Sequence, residues 1–377
     1  MDFEELIGYN FYEMILLITF TVSFVIQMVY IFSFYFRLLF LKDPEHTILE
    51  TPISILVTVR NEEERIYNLL DQLLTINYDS YEVVVVDDFS EDRTLQILGS
   101  LSRLYPKLRF TSINQDNRYS QKLSINLGLK ACETDWIMYL PTSAKIETET
   151  LFNLNNFIAE DMEVVIGYSN YISNQGFTNG LNRIERFVGF IRSSAYSLSG
   201  YPLIFSQNNL AFKKGLYFES DGFRGKLQQY FADLELILND KFKRVGISCA
   251  PFGRVVEKER TEMQDYINLI KKEIYIRRTC NRKKRLLLLI EDFSNVIFLF
   301  SFILLLMFKI NFGLYVALMF LIPNVFMFFI VKKIIVRLNE AKIFLSSFLY
   351  LLIKPLINIY HATGMYIQRR EKMKCWE

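Results

Sequence analysis

An α/β domain with a mostly parallel sheet, flanked by membrane-spanning helices, is the fold class that this sequence predicts. Two observations lead to it. Residues 53–94 alternate short apolar runs with segments of helical spacing, and long apolar stretches lie before and after the polar middle of the chain. Strand, helix, strand and helix in succession build a right-handed parallel unit. Since ligands of such sheets lie at the carboxyl ends of the strands, polar residues there are the first site candidates.

The first strand is predicted at ISILVTV (53–59), which is rich in β-branched residues and suits burial on both faces. Arg60, Asn61 and Glu62 follow it. We expect Asn61 to cap the next helix, with Glu64 as the reciprocal acid, because the pair has the spacing of a capping box.

The second strand is YEVVVV (81–86), and it ends at two adjacent acids, Asp87 and Asp88. We expect Ser90 to cap the helix that follows. Two acids directly after an all-valine run indicate a site more than a helix cap, because this is the edge of the sheet where ligands bind.

The remaining elements of this domain follow from apolar spacing. An amphipathic, aromatic-rich helix at 180–198 could lie against a membrane, although packing within its own domain is favoured. The other predicted elements are strands at 108–113, 135–140 and 163–172, and helices at 121–132, 147–160 and 230–244.

The flanks predict a membrane protein. Residues 12–41 are long and apolar enough to span a bilayer, and acids before them and cations after them place the following domain in the cytoplasm. We therefore predict an anchor at 1–42, an α/β domain at 50–260 and a basic amphipathic interfacial helix at 261–285. The membrane region 286–377 is expected to hold spans at 286–308 and 312–331, with a re-entrant or third spanning segment at 343–365.

Composition narrows the function classes. The net charge of +2 gives no electrostatic signal for nucleic acid, and the two histidines, His46 and His361, lie outside the polar domain. Histidine-based chemistry is therefore disfavoured. The four cysteines have no metal or disulfide spacing and indicate a reducing compartment. A transporter is disfavoured too, because a few spans around a large polar domain do not make a bundle with inward-facing polar residues.

Five blocks of the chain, in order, resemble the motifs of membrane-anchored, inverting family 2 glycosyltransferases with the GT-A fold. The resemblance covers about residues 50–285. The matching blocks are VTVRNEEE (57–64), VVDDFSEDRT (85–94), QKLSINLGLK (121–130), SQNNLAFKK with SDGF (206–214 and 220–223), and ADLEL (232–236).

The resemblance implies a nucleotide-sugar donor, expected to be a UDP- or GDP-sugar. Thr58, Arg60 and Glu62 would lie where the family holds the nucleotide. Asp87 and Asp88 would accept hydrogen bonds from its base or ribose.

The resemblance also implies roles for two residues further along. Lys122 would lie near the nucleotide or the phosphates. Asp233 would be the general base that deprotonates an acceptor hydroxyl, so that this hydroxyl attacks the anomeric carbon opposite the leaving diphosphate.

The sequence departs from the family at the aspartate pair that normally holds Mg²⁺ or Mn²⁺. In WIMYLPTSA (136–144), Pro141 and Ser143 stand in place of the two acids. Thr142 and Ser143 remain in the diphosphate region, but hydroxyls are poor ligands for a hard divalent cation, so no metal ligands are assigned. Ala232 replaces the acid that leads the base motif. The processive Q-x-x-R-W motif is also absent, and Leu269–Glu273 occupies its expected place.

Two interpretations therefore stay open. One is a membrane-bound transferase, working without the usual metal, that adds single sugars to a lipid-linked or envelope-glycan acceptor at the inner or plasma membrane. The other is a degenerate transferase that serves as partner or scaffold of an active enzyme. The retained Asp88, Lys122 and Asp233 favour the first, and the loss of both metal-binding acids favours the second. Membrane lipid is the expected partner in both, and a protein partner in envelope-glycan assembly is considered.

Overall fold

The computed structural model describes residues 11–116, 121–229, 231–249, 255–257, 261–307 and 313–374. The chain divides into two compact units, each taken by itself below. One comprises residues 41–279 with 337–340, and the other comprises residues up to 40 with 280–336 and the chain from 341 onward. The predicted boundary at 260, residues 1–10 of the anchor and the predicted span ends at 308 and 312 lie outside the described residues.

The first unit is built on a seven-stranded sheet, which confirms the predicted fold class. The strand order is β3-β2-β1-β4-β7-β5-β8, and β7 alone runs antiparallel to its neighbours. A second, two-stranded sheet pairs β6 with β9. The strands are β1 (Ile53–Val59), β2 (Tyr81–Asp88), β3 (Leu108–Ile113), β4 (Trp136–Leu140), β5 (Val164–Gly167), β6 (Ser169–Tyr171), β7 (Leu210–Lys213), β8 (Val245–Ser248) and β9 (Val255–Glu257).

The central strands are covered on both faces, as their unbroken apolar sequences predict. Every residue of β1 is buried, as are Val83–Val86 of β2. Gly128 allows the helix that carries it to lie close against β1 and β2. A Cβ at this position would lie 2.3 Å from Leu56 Cδ1 and 2.8 Å from Val86 Cγ2. The core therefore brings the carboxyl ends of β1, β2 and β4 side by side.

The helices of this unit lie between and after the strands. Most residues of the helix Phe177–Leu198 are buried, so this helix packs within its own unit rather than presenting an apolar face outward. The helices are α2 (Ile66–Leu74), α3 (Thr94–Leu104), α4 (Lys122–Ala131), α5 (Thr150–Ala159), α6 (Phe177–Leu198), α7 (Lys214–Phe218), α8 (Glu235–Leu238) and α9 (Met263–Thr279).

The prediction of a helix over 230–244 is wrong in extent. Among the described residues of this range, only Glu235–Leu238 is helical. Asn239 Oδ1 accepts a hydrogen bond from the Ile204 N–H at 2.7 Å, and Asp240 adopts a left-handed φ of 75°. These two residues end the helix after one turn. Asp233 therefore lies in an irregular segment rather than on a regular helix.

The second unit holds helices α1 (Phe11–Ser33), α10 (Arg282–Met307), α11 (Gly313–Arg337) and α12 (Phe344–Lys374), with a 3-10 helix at Tyr35–Phe40. Among the residues of this unit that the structure describes, four helical stretches are long and apolar enough to cross a membrane. Arg282–Arg285 begin α10 instead of ending α9, and α12 continues through Pro355 without a break. Within this unit Gln27 donates to Ser294 at 2.7 Å and Tyr35 to Glu291 at 2.5 Å, so these polar side chains are paired.

Candidate active site

The loops after β1 and β2 are joined by hydrogen bonds from backbone N–H groups of one loop to side chains of the other. The Asn61 N–H donates to Ser90 Oγ at 2.9 Å, and the Glu91 N–H donates to Asn61 Oδ1 at 2.8 Å. The capping predictions for Asn61 and Ser90 are therefore wrong. The N-cap residues of α2 and α3 are Arg65 and Arg93, and neither side chain makes a capping hydrogen bond. The side chains of Asn61 and Ser90 instead accept from the opposite loop.

A second set of bonds continues this pairing. The Glu62 N–H donates to Thr94 Oγ1 at 2.9 Å, and the Arg93 N–H donates to Glu63 Oε2 at 2.9 Å. Asp92 accepts the Glu63 N–H at 3.1 Å. Burial raises the pKa of the Asp92 carboxyl, but hydrogen bonds from Thr94 and Glu63 outweigh it and hold that pKa below its ordinary value. We call residues 61–63 and 90–94 the paired loops; they fix the ends of β1 and β2.

Thr58 lies in a buried hydrogen-bond chain that crosses from β1 to α4. Tyr139 Oη donates to Gln121 Oε1 at 2.8 Å, which leaves its oxygen to accept from Thr58 Oγ1 at 3.0 Å. Thr58 is thus tied to the protein, and Gln121 carries the chain to the residue that precedes Lys122. Tyr139 and Gln121 were not singled out in the sequence, since nothing local marks them as polar partners.

Asp87 is the residue at the strand ends with an unsatisfied group. It is buried, its Oδ2 accepts the Ser90 N–H at 3.2 Å, and its Oδ1 accepts no hydrogen bond from any residue that the structure describes. Asp88 beside it is also buried. A buried carboxylate oxygen without a donor is costly, so this position suits a ligand that brings an N–H or O–H.

Arg60 and Glu62 lie just after β1, at the same edge of the sheet as Asp87 and Asp88. Arg60 forms an ion pair of 2.8 Å with Asp116, and the two side chains are 42% and 60% exposed. Such an exposed pair is weak in water. The guanidinium can therefore exchange Asp116 for another anion. Glu62 accepts the Thr142 hydroxyl at 2.9 Å, which ties the end of β4 to the end of β1.

The end of β4 does not suit a divalent cation. Pro141 offers no side-chain oxygen, the Thr142 hydroxyl is donated to Glu62, and Ser143 supplies one neutral hydroxyl. In the described parts of the chain, no three or more His, Cys, Asp or Glu residues converge in a metal-binding arrangement. The residues present therefore do not fit the Mg²⁺ or Mn²⁺ that the resemblance implies.

Lys122 and Asp233 form the buried centre of the site. Lys122 Nζ lies 2.7 Å from Asp233 Oδ1 and donates to the Gln229 carbonyl at 2.6 Å. The Lys122 side chain is fully buried, whereas the Asp233 side chain keeps 11% of its surface exposed. The two residues for which sequence implied separate roles are thus in direct contact, and Asp233 retains an accessible side.

The segment around Asp233 is held by side chains from distant elements. The Leu234 N–H donates to Gln207 Oε1 at 3.0 Å, and the Asp233 N–H donates to Glu235 Oε2 at 3.1 Å. Glu235 in turn pairs with Lys272 of α9 at 2.6 Å. Sequence reasoning did not assign roles to Gln207, Glu235 or Lys272. The signals were that Gln207 and Glu235 fall in family blocks and that Lys272 falls in the expected place of the missing processive motif.

A cavity of about 80 Å³ lies between β5, α6, the loop before β7 and α9. Its wall mixes aromatic, hydroxyl, amide and charged groups. Residues on it include Phe190, Phe205, Ser206, Asn208, Lys272 and Glu273. Lys272 lies on this wall and pairs with Glu235, and Gln207, which accepts the Leu234 N–H, lies between the wall residues Ser206 and Asn208. The groups on this wall suit a polyhydroxy compound, and the pair of Lys272 with Glu235 links the cavity to the segment that carries Asp233.

Comparison with known proteins agrees with this geometry. Residues 54–234 match the family model described as "Glycosyl transferase family 2". Residues 54–234 are therefore similar to family 2 glycosyltransferases, as the motifs predicted, and the sheet is of the GT-A type.

Two curated relatives illustrate the match. A poly-beta-1,6-N-acetyl-D-glucosamine synthase of Staphylococcus epidermidis is 26% identical over 116 residues, which is 31% of this chain and 27% of the relative. A beta-monoglucosyldiacylglycerol synthase of Trichormus variabilis is 29% identical over 104 residues, covering 27% of this chain and 22% of the relative. The matched segments thus span about a quarter of the length of these relatives.

A solved structure extends the likeness in fold. The mannosyltransferase PcManGT from Pyrobaculum calidifontis, in complex with GDP-Man and Mn²⁺, superposes with a TM-score of 0.54 at 15% identity. The superposition covers 90% of this chain and 98% of that one. At this identity the likeness concerns the fold alone.

Proposed function

We propose that this protein transfers a sugar from a nucleotide-sugar to a hydroxyl of a lipid-linked or envelope-glycan acceptor at the cytoplasmic face of the inner or plasma membrane. The observation that carries the proposal is Asp233, a partly accessible carboxylate held by the buried ammonium of Lys122. Its neighbour Glu235 pairs with Lys272, which lines a cavity of mixed polar and aromatic character. The names of the relatives, a polysaccharide synthase and a glycolipid synthase, support this choice of acceptor class.

The nucleotide is assigned to the strand ends. Asp87 Oδ1, buried and without a donor among the described residues, would accept a hydrogen bond from the base or ribose, and Asp88 would contribute beside it. Arg60 would leave its weak pair with Asp116 and face the diphosphate. Thr58 and Glu62 support this edge through their bonds to Tyr139 and Thr142 rather than by direct contact.

The chemistry is a single displacement. Asp233 takes the proton of the acceptor hydroxyl as the new oxygen–carbon bond forms at the anomeric carbon. The bond from that carbon to the phosphate oxygen breaks on the opposite face, and the nucleoside diphosphate leaves with the electron pair. One positioned carboxylate suffices for this step, and it inverts the anomeric configuration. Transfer of one sugar per encounter is favoured because Leu269–Glu273 lacks the processive motif.

The alternative is a degenerate transferase that acts as a partner of an active enzyme. The observation that favours it is the end of β4, where Pro141, Thr142 and Ser143 do not form a cation site. PcManGT was solved with Mn²⁺ as well as GDP-Man, so the fold accommodates a metal where its ligands are present. The two functions differ in whether the nucleotide binds without metal.

The test is nucleotide binding by the purified full-length protein, with UDP, GDP, CDP and dTDP, each in Mg²⁺, in Mn²⁺ and in EDTA. We expect one nucleotide to bind, equally well in EDTA, and Asp88→Ala to weaken binding at least about tenfold, as expected for loss of a charged hydrogen-bond partner. Glu91→Ala is the matched control, since Glu91 is an exposed acid on the same loop. Absence of binding under every condition would support the partner role instead.

A further inference from the structure

We propose that Glu235 and Lys272 are positioning residues that hold the proposed base, Asp233, in its working geometry. The inference rests on the proposed function only in naming Asp233 as the base. Glu235 Oε2 accepts the Asp233 N–H at 3.1 Å, and Glu235 Oε1 lies 2.6 Å from Lys272 Nζ. The Glu235 carboxylate thus joins the backbone of the base to a cation on another element.

The backbone of Asp233 needs such support. It precedes a helix of only four residues, which is too short to be stable by itself. The Asp233 side chain is tied by Lys122, but the orientation of its carboxylate also depends on the peptide unit that carries it. Gln207 fixes the next N–H, that of Leu234, and Glu235 fixes that of Asp233. The family motif has a leading acid where this chain has Ala232, and Glu235, two residues after the base, is the acid that bonds to the Asp233 N–H.

Lys272 is a fixed point because α9 is anchored to α6. Glu273, the next residue, pairs with Arg192 of α6 at 3.7 Å and with Arg277 one turn further along α9. Phe231 contacts Tyr275 of α9 with ring centroids 5.7 Å apart, which adds an apolar link between α9 and the segment of Asp233. A rigid helix therefore presents the Lys272 ammonium to Glu235.

Lys272 also connects the base to the cavity. Its side chain is 25% exposed and lies on the cavity wall, whereas its partner Glu235 is fully buried. A buried carboxylate depends on its cation, because an unpaired charge in the interior is unfavourable. Removal of the Lys272 charge is therefore expected to release Glu235 from the Asp233 N–H and loosen the base.

The experiment compares Lys272→Met, Lys272→Arg and the matched control Lys271→Met in the full chain. Hydrogen–deuterium exchange of the peptide spanning 231–238 is the first readout, and it requires no substrate. We expect exchange at the 233–235 amides to rise about tenfold in Lys272→Met, as expected for loss of a buried hydrogen bond. Lys272→Arg and Lys271→Met should leave it unchanged.

Turnover is the second readout, measured as release of nucleoside diphosphate from UDP-glucose, UDP-N-acetylglucosamine or GDP-mannose with water as acceptor. We expect Lys272→Met to lower kcat about 10–100-fold with the donor KM unchanged, since the base is misplaced but the nucleotide edge is intact. Lys272→Arg should restore most of it. In an Asp233→Asn background, Lys272→Met should change the residual rate less than about twofold, because the two losses act through one group.

The outcomes separate the two proposals. Unchanged exchange at 233–235 in Lys272→Met would overturn the positioning role whatever the activity of the protein. A full Lys272→Met effect in the Asp233→Asn background would also overturn it, because Lys272 would then act independently of the base. If Asp233→Asn alone leaves turnover intact, the assignment of the base fails, while the exchange data still decide whether Lys272 and Glu235 hold this segment.

Discussion

The paired loops and the segment of Asp233 fix their polar groups in opposite ways. The paired loops are held by hydrogen bonds between backbone amides and exposed side chains about 30 residues apart. The bond from the Glu91 N–H to the Asn61 side chain is an example. The Asp233 segment uses a buried ion pair between residues 111 positions apart, Lys122 and Asp233. The first is a local frame of many modest bonds. The second depends on a few buried charges, so single substitutions should have far larger effects there.

The largest expected effect is on catalysis by Asp233. Asp233→Asn keeps the shape of the side chain and removes its ability to take a proton, so turnover should fall about 10²–10⁴-fold. Nucleotide affinity should not change, because the strand ends are intact. Steady-state kinetics together with nucleotide binding checks both expectations, and near-full turnover would contradict the role of Asp233 as base.

Next in size is the stability of the buried pair. Lys122→Met leaves Asp233 without its cation and should destabilise the protein by about 3 kcal/mol. Lys122→Met combined with Asp233→Asn should recover part of the loss, since no unpaired charge remains. Thermal unfolding of the purified chain in detergent measures both. Lys130→Met, at the exposed end of the same helix, is the control, and an equal loss there would remove the case for a special pair.

The comparison also separates what the sequence could predict from what it could not. Strands β1, β2 and β4 were predicted because buried parallel strands leave unbroken apolar runs, and the family motifs located their carboxyl ends. The capping roles of Asn61 and Ser90 were wrong, because the partners of these side chains lie on the other loop and spacing along one helix does not reveal them.

Long-range pairs escaped sequence reasoning for the same physical reason. Lys122 and Asp233 were each singled out by the resemblance, but nothing local indicates that one neutralises the other. Glu235 and Lys272 meet only after α9 packs on α6, so their pairing is a product of tertiary structure. The single-turn helix at 235–238 was overestimated in length because Asn239 takes a tertiary partner, Ile204, that apolar periodicity does not show.

A smaller effect is expected in the paired loops. Asn61 adopts a left-handed φ of 53° and accepts the Glu91 N–H. Asn61→Ala removes that acceptor and places a less tolerant residue at this φ, so the protein should lose about 1–2 kcal/mol of stability. Nucleotide affinity should fall modestly as the strand-end loops loosen. Asn61→Gly, which removes the acceptor but tolerates the backbone, should lose less, and equal losses would contradict the contribution of backbone conformation.

The smallest expected effect is at the exposed pair of Arg60 and Asp116. Their side chains are 42% and 60% exposed, so Asp116→Asn should change the free energy of unfolding by less than about 0.5 kcal/mol. Nucleotide binding should stay equal or tighten slightly, since Arg60 is released toward the diphosphate. Arg60→Gln should instead weaken nucleotide binding without loss of stability. Parallel unfolding and binding measurements on both variants decide this point. A loss of stability in Asp116→Asn comparable to that of Lys122→Met would contradict the contrast between an exposed and a buried pair.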